Sequence, residues 1–237
     1  MATQNDLSEI LEAGAVLAAL LPRPALSNAV LQGVAPRSPQ PKDVPWESQP
    51  RIKHIDREGL VRAVADFGDR EYGYAVTAGL RDLTRYYRSP AHRVLYSNAT
   101  RVLMRTALCA WVVKSLLNVS LPVCSGADLR RELFANVITF SDRIVVVGGP
   151  KDAASAMYQR FGLQNVRHRE LSAHSVDDRV ALVDCLRYIE RMSPFRFCFL
   201  SLGSPYDEMI AYCLHARRIA RGLAICAGPA SAGDGPC

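Results

Sequence analysis

The sequence predicts an α/β fold with a mostly parallel sheet flanked by helices. From about residue 52 onward, short apolar segments alternate with amphipathic stretches long enough to cross back over a sheet. Residues 143–147 form a continuous apolar run, as expected of a strand buried on both faces. Glycine-containing turns follow several of these segments, where each strand would give way to a helix. Together these patterns favour successive β-α-β units.

Three regions are predicted along the chain. Residues 1–50 form an N-terminal helix, with apolar residues at helical spacing over 7–21, followed by a proline-rich arm. Seven of the 14 prolines lie between Pro22 and Pro50, a composition typical of a semi-rigid arm. Residues 51–230 form the α/β domain, and 231–237 form a flexible tail. Because an α/β fold normally covers its last strand with a helix, we expect a further C-terminal piece to be missing after Cys237.

Helices and strands of the domain are assigned from apolar periodicity, with Asp56 as a cap and Gly68 as a stop for the first helix. The first half of the domain is predicted to contain five elements. They are a helix at 56–68, a strand at 72–77, a basic helical stretch containing Arg81, Arg85, Arg88 and Arg93, a strand at 100–104, and a helix containing Leu108, Trp111, Val112 and Leu116.

The second half follows the same alternation more regularly. It is predicted as a helix at 129–140, a strand at 143–147, a helix with Ala154, Met157, Tyr158 and Phe161 on one face, a weak strand at 165–170, a helix at 178–192 with Leu182, Cys185, Leu186 and Ile189 on one face, a strand beginning at Phe195, a helix to about Arg221, and a last strand at 223–227.

Bulk composition narrows the protein's class. The net charge of +6 favours an anionic partner such as a phosphorylated substrate, although a basic soluble surface explains it equally well. Five of the seven cysteines lie among apolar residues without metal-ligand spacing, which disfavours disulfides and zinc and favours a reducing cytoplasm. No segment approaches the roughly 18 apolar residues of a membrane span, and acidic residues precede the longest apolar run, unlike in a signal peptide.

Two glycine turns, Gly148-Gly149-Pro150 and Gly203-Ser204-Pro205, follow core strands, and Gly228 follows the last strand. Such turns let a ligand approach the backbone, and the helix behind each one offers N–H groups to phosphate. A strand-to-helix turn favours these residues for structural reasons as well. The arginines between Arg81 and Arg105, with Arg130 and Arg131, form either a clamp for a diphosphate, a face for anionic lipid, or solvated helix surfaces.

Several specific signatures do not occur. Neither the dinucleotide fingerprint G-x-G-x-x-G nor the P-loop is present, and there is no G-x-S-x-G or H-E-x-x-H motif. The five histidines are dispersed without ligand spacing. Oxidoreductase, hydrolase and metalloenzyme interpretations therefore receive little support.

Five segments follow one another at strand ends and turns between about residues 52 and 230. They are Ala75-Val76-Thr77-Ala78-Gly79, residues 99–106, Ser125-Gly126-Ala127-Asp128-Leu129, Val147-Gly148-Gly149, and residues 202–208, which contain Gly203, Ser204, Pro205 and Glu208. The G-S-P-x-x-E turn in the last segment is the most specific piece. In this succession the sequence resembles the WecG/TagA/CpsF family of bacterial glycosyltransferases.

This resemblance implies a Rossmann-like fold and inverting transfer of a hexose or N-acetylhexosamine from a UDP-sugar to a polyprenyl-diphosphate-linked acceptor. The implied setting is cell-surface polysaccharide synthesis at the inner membrane face, without a metal or cofactor. A homo-oligomer is one expected state, and nucleic acid is not an expected partner. The residues implied to bind substrate are Gly148, Gly149, Gly203, Ser204, Pro205, Glu208 and Gly228.

The sequence departs from the family pattern at the expected catalytic base. Arg105 occupies the position of the family's aspartate, and a guanidinium does not accept a proton. The catalytic set is predicted as Thr77, Arg105 and Asp207. The base would be another carboxylate, such as Asp207, or one that a shifted alignment with the family pattern would identify. Two hypotheses follow: an active sugar transferase, or a catalytically inactive homologue that keeps the fold and nucleotide binding and acts as a partner or is a truncated product.

Overall fold

The computed structural model describes residue 59 and residues 71–117, 120–149, 152–172 and 178–228. Several predictions lie outside these residues. They are the N-terminal helix, the proline-rich arm, the helix predicted at 56–68 and the tail at 231–237.

The described chain alternates between strands and helices, as the sequence predicts. The strands are β1 Gly73–Ala78, β2 Arg101–Met104, β3 Ile144–Gly148, β4 Val166–Arg169, β5 Phe197–Ser201 and β6 Leu223–Cys226. The helices are α1 Leu80–Arg88, α2 Pro90–Ser97, α3 Ala107–Leu117, α4 Gly126–Asn136, α5 Ala153–Phe161, α6 Arg179–Arg191 and α7 Tyr206–Arg217.

All six strands form one parallel sheet in the order β2-β1-β6-β5-β3-β4. The predicted Rossmann-like α/β fold is thereby confirmed. The last strand, β6, is inserted between β1 and β5, so that Ile225 pairs with Ala75 on one side and with Phe199 on the other. Strands β6, β5 and β3 are neighbours, and consequently the three predicted glycine turns lie along one edge of the sheet.

Apolar side chains cover both faces of the sheet. The central strands β1, β3, β5 and β6 are buried along their whole length, as expected of parallel strands between helical layers. Helices α1, α2, α3, α6 and α7 contribute to the core on one face, for example through Leu95 and Leu214. Helices α4 and α5 cover the other face, where Phe134 stacks on Phe161 and Phe199.

The predicted basic helical stretch consists of two helices. Ser89 separates them in an extended conformation, and its hydroxyl accepts a hydrogen bond from the backbone N–H of His92. Pro90 follows as the first residue of α2. A proline disfavours helical backbone in the residue before it but suits the first turn of a helix, so α1 ends here and α2 begins.

Two predictions in the second half are wrong in detail. The helix predicted to reach Phe140 ends at Asn136, and Phe140 is 65% exposed. The carboxylate of Asp142 accepts the backbone N–H of Thr139 and closes a turn in place of further helix. Tyr158, predicted on the apolar face of α5, is 61% exposed.

The prediction for α6 is confirmed. Its buried residues are Leu182, Cys185, Leu186 and Ile189, and Asp178 caps its first turn. The six cysteines of the described residues are free thiols in buried positions. Within the part of the chain that the structure describes, no helix is long and apolar enough to cross a membrane, and no group of His, Cys, Asp and Glu has the arrangement of a metal site.

Candidate functional site

A cavity of about 720 Å³ opens at the carboxyl edge of the sheet, within the size range of small-molecule sites. Its walls come from the residues that follow β1, β2 and β5, together with the first turns of α1 and α3. The lining residues are Gly79, Leu80, Arg81, Asp82, Arg85, Arg105, Thr106, Leu108, Cys109, Leu202, Gly203, Ser204 and Tyr206. Open parallel sheets bind ligands at this edge.

Three guanidinium groups give the cavity its charge. Arg81 and Arg85 come from α1, and Arg105 follows β2 directly. Arg85 Nη1 donates a hydrogen bond of 3.4 Å to the carbonyl oxygen of Ser204, which holds Arg85 beside the glycine turn after β5. The hydroxyl of Ser204 has no hydrogen-bond partner in the structure. This wall of the cavity suits an anion.

Arg105 occupies the centre of the site. Its backbone N–H donates to the carbonyl oxygen of Ala78, so the end of β2 is tied to the end of β1. Its Nη2 atom lies 3.4 Å from the carbonyl oxygen of Thr77 and 3.8 Å from Oδ2 of Asp82. A Cβ atom added to Gly228 would lie 4.0 Å from the same Nη2 atom, which places the end of β6 beside Arg105 as well.

Asp82 is the cavity-lining carboxylate that the sequence prediction missed. Its side chain is 5% exposed and lines the cavity as its acidic residue. Its Oδ2 atom accepts the backbone N–H of Gly79 at 2.8 Å, which fixes the carboxylate at the amino end of α1. An acidic residue in the first turn after a strand of this edge is the signal that could have identified it.

Asp207 lies beneath the cavity and ties two strand ends together. Its Oδ1 atom accepts the backbone N–H of Leu202, and its Oδ2 atom accepts that of Gly228. Burial raises the pKa of Asp207 to about 6, while the N–H groups of Leu202, Gly228 and Gly203 favour the ionised form. Both oxygens are therefore engaged by the backbone of the turns after β5 and β6.

Glu208 is buried behind Asp207, and its Oε1 atom accepts a hydrogen bond from the hydroxyl of Tyr96. Its Oε2 atom has no partner in the structure. Burial, followed by the neighbouring charge of Asp207, raises the pKa of Glu208 to about 8. Glu208 is consequently a neutral carboxylic acid near pH 7 that packs α7 against α2.

The remaining predicted site residues lie at the ends of β1 and β3 and just before α7. Thr77 is buried, and its hydroxyl donates to the carbonyl oxygen of Cys226, so it links β1 to β6. Gly148 is the last residue of β3 and Gly149 follows it, one strand beyond β5, with φ angles of 79° and 78° that favour glycine. Pro205 precedes the first residue of α7 rather than occupying its first turn.

Of the predicted residues, the structure brings Arg105, Gly203 and Ser204 together on the cavity wall. Thr77, Asp207 and Glu208 lie below that wall, where they hold strands and helices in place. Gly148 contacts the same turn from the side, because a Cβ atom there would lie 2.9 Å from the side chain of Leu202. The predicted residues therefore form one contiguous edge with a cavity on the β1–β2 side.

The fold and the cavity define an α/β protein whose ligand site lies at the carboxyl edge of a parallel sheet. The chain belongs to the glycosyl transferase WecG/TagA/CpsF family, whose family model matches residues 48–231. This match covers the stretch in which the sequence resembles the family, and it confirms the resemblance. No curated protein matches the chain.

Proposed function

We propose that this protein transfers a hexose or an N-acetylhexosamine from a UDP-sugar to a polyprenyl-diphosphate-linked acceptor in cell-surface polysaccharide synthesis. Membership of a glycosyltransferase family supports sugar transfer. The observation that carries the finer proposal is the cavity at the sheet edge, which combines Arg81, Arg85 and Arg105 with the glycine turn that precedes α7. Both the donor and the acceptor would present a diphosphate to such a site.

Phosphate binding is supported by two features of the same wall. Guanidinium groups bind phosphate oxygens through paired hydrogen bonds, and Arg85 is already held against the Gly203-Ser204 turn. The amino end of a helix favours negative charge, and α7 begins directly after this turn. We assign the donor diphosphate to this wall, with Gly148, Gly149 and Gly228 admitting the rest of the donor close to the backbone.

Asp82 is the carboxylate best placed to act as the general base. Asp207 has both oxygens bound to backbone N–H groups below the cavity, whereas Asp82 lines the cavity beside Arg105. In the proposed step, an acceptor hydroxyl loses its proton to Asp82 while its oxygen attacks the anomeric carbon. The bond from that carbon to the phosphate oxygen breaks, and UDP leaves with the electron pair.

The arginines complete the proposed chemistry. Negative charge develops on the departing diphosphate, and a fixed guanidinium stabilises such charge without rearrangement. Arg85 and Arg105 supply this positive charge, so we propose that neither a metal nor another cofactor is needed. Thr77, Asp207 and Glu208 act as positioning residues that fix the turns around the cavity.

A second candidate function is nucleotide binding without catalysis, as a partner of a functional transferase. One observation favours it: the Asp82 carboxylate is 5% exposed and already engaged by Gly79 and Arg105. A base held in this way must exchange one of these contacts for the acceptor hydroxyl. A homo-oligomer and a peripheral position at the inner membrane face accompany the first proposal.

Titration calorimetry with UDP, followed by a transfer assay with UDP-N-acetylglucosamine or UDP-glucose and a polyprenyl-diphosphate sugar, tests the two functions. Binding together with transfer that survives EDTA supports the enzyme. Binding without transfer, in the native chain and in Arg105→Asp, supports the inactive homologue. An absence of UDP binding contradicts both, because both require the same wall of arginines.

A further inference from the structure

Helix α3 is apolar on nearly all sides, and its described side chains, up to Ser115, are packed on only one side. Lys114 and Ser115 are its polar residues. Cys109 and Val113 are buried against the sheet, whereas Leu108 is 57% and Trp111 is 64% exposed. A helix that is apolar all round is normally enclosed. The outer face of α3 is therefore an apolar surface without a partner in the described structure.

This surface is continuous with the cavity. Leu108 lines the cavity together with Leu80 of α1, which is 46% exposed. Trp111 lies one helical turn beyond Leu108 on the same side of α3. We call Leu80, Leu108 and Trp111 the apolar rim. It borders the opening through which a ligand enters.

Positive charge surrounds the apolar rim. Arg81 and Arg105 are exposed residues of the cavity wall, and Lys114 is exposed one turn beyond Trp111. Between residues 73 and 117, the sequence contains six arginines and one lysine but a single acidic residue, Asp82. That carboxylate is buried and faces Arg105. The surface thus combines apolar side chains with unbalanced positive charge.

We propose that the apolar rim docks the protein on an anionic lipid bilayer. Leu80, Leu108 and Trp111 enter the boundary between headgroups and acyl chains, where tryptophan is favoured. Arg81 and Lys114 contact the lipid phosphates, since basic residues near an anionic leaflet each strengthen binding. The charge around the rim favours this occupant over a second copy of this basic chain. The cavity then opens towards the bilayer.

Vesicle binding by the full chain tests this proposal. Phosphatidylcholine vesicles with and without phosphatidylglycerol are floated with the protein, and Trp111 emission is followed in a Trp46→Phe background. We expect binding to the anionic vesicles, with a blue shift of Trp111. The double variant Leu108→Ser/Trp111→Ser should weaken vesicle binding about tenfold or more. The variant loses the free energy gained when two apolar side chains move from water into the bilayer.

Phe140→Ser is the matched control. Phe140 is exposed to the same extent as Trp111 but lies just before β3, at the opposite edge of the sheet. Its loss should leave vesicle binding unchanged. Equal weakening by both changes, or no binding to anionic vesicles, would overturn the proposal.

Other occupants of the rim give different results. A second copy of this chain covers the rim if the native chain does not bind vesicles and the double variant has a different mass from the native chain in sedimentation. Residues 1–58 of the same chain cover the rim if Trp111 emission is already blue-shifted without vesicles and does not change when the protein is diluted. Either result overturns lipid docking. UDP calorimetry on Trp111→Ser alone keeps this test separate from the proposed transfer, because Trp111 is not among the residues that line the cavity and nucleotide affinity should not change.

Discussion

The Nη2 atom of Arg105 lies 3.8 Å from Oδ2 of Asp82, in the wall of the cavity at the carboxyl edge of the sheet. Arg105 stands where the resemblance of the sequence to the family predicts an aspartate. The nearest cavity-lining carboxylate comes instead from the first turn of α1. The site therefore keeps a carboxylate, but it is delivered by a different element and is paired with an arginine.

Asp82→Asn should abolish transfer while preserving nucleotide binding. Removal of a general base typically costs about 10²–10⁴-fold in kcat, whereas the arginines that hold the diphosphate remain. Asp128→Asn is the matched control, because Asp128 occupies the first turn of α4 as Asp82 occupies that of α1. Measurement of kcat and of UDP affinity separates the roles. Unchanged kcat in Asp82→Asn would show that another group takes the proton.

Arg85→Gln should lower the affinity for UDP by about tenfold or more, because charge-assisted hydrogen bonds to phosphate are among the strongest polar contacts. Arg85 is held against the turn after β5 and lines the cavity. Arg131→Gln serves as the control, since Arg131 is exposed on α4 and pairs with Asp128. Equal affinities for UDP in both variants would show that the diphosphate does not bind to Arg85.

The stability of the protein should fall as pH rises through the ionisation of Glu208. Burial raises the pKa of Glu208 from 4.5 to about 8, so this group's contribution to stability is full below pH 4.5 and is lost as pH rises through 8. Glu208→Gln cannot ionise. The difference in the free energy of unfolding between variant and native chain should therefore grow in favour of the variant from pH 4.5 to 8 and then level off.

Denaturant titrations across this pH range measure that difference. Asp207, whose pKa is raised to about 6, also makes the free energy of unfolding depend on pH. Because Asp207 is present in both proteins, its effect cancels to first order in the difference between them. Glu71→Gln, at an exposed position just before β1, supplies an exposed acidic control. A difference between native chain and Glu208→Gln that stays constant with pH would refute the assignment of a neutral Glu208.

Gly126→Ala should destabilise the fold more than Gly162→Ala. A Cβ atom at Gly126 would lie 2.3 Å from the carbonyl oxygen of Ala227, because the start of α4 packs directly on the end of β6. Such overpacking against backbone costs about 3 kcal/mol or more. Gly162 has a φ of 66° and open space around its Cβ position, so alanine there should cost about 1 kcal/mol. Comparable melting temperatures for the two variants would contradict the close packing.

Much of the fold was predictable because it follows from local patterns. Apolar runs and helical periodicity identified the described strands and most of the described helices, including the buried face of α6, although α1 and α2 were predicted as one helical stretch. The end of α4 was not predictable in the same way. Phe140 continues the apolar period, yet the Asp142 carboxylate forms a turn with Thr139 and an ion pair with Arg196, which directly precedes β5 and is distant in the sequence.

The site was predictable in part for a related reason. Glycine turns at strand ends are visible in the sequence, and Gly203, Ser204 and Arg105 do line the cavity. Asp82 escaped prediction because its role depends on the end of β2 lying beside the start of α1. Asp207 is predicted as a substitute base, and its hydrogen bonds to the backbone of Leu202 and Gly228 join two turns, which no local pattern in the sequence indicates. The role of each predicted site residue in catalysis remains a prediction.

The sequence by itself determined the fold class, the family and the order of the strand-end turns, because these depend on residue periodicity and on motifs that are contiguous in the chain. Tertiary structure alone decided which turns share a cavity. Insertion of β6 between β1 and β5 brings Gly228 to Arg105, although more than a hundred residues separate them in the chain. Contacts between residues so far apart in the sequence depend on the order of the strands in the sheet, which no local pattern encodes. The carboxylate at the centre of the site is therefore Asp82, which no motif in the sequence identifies.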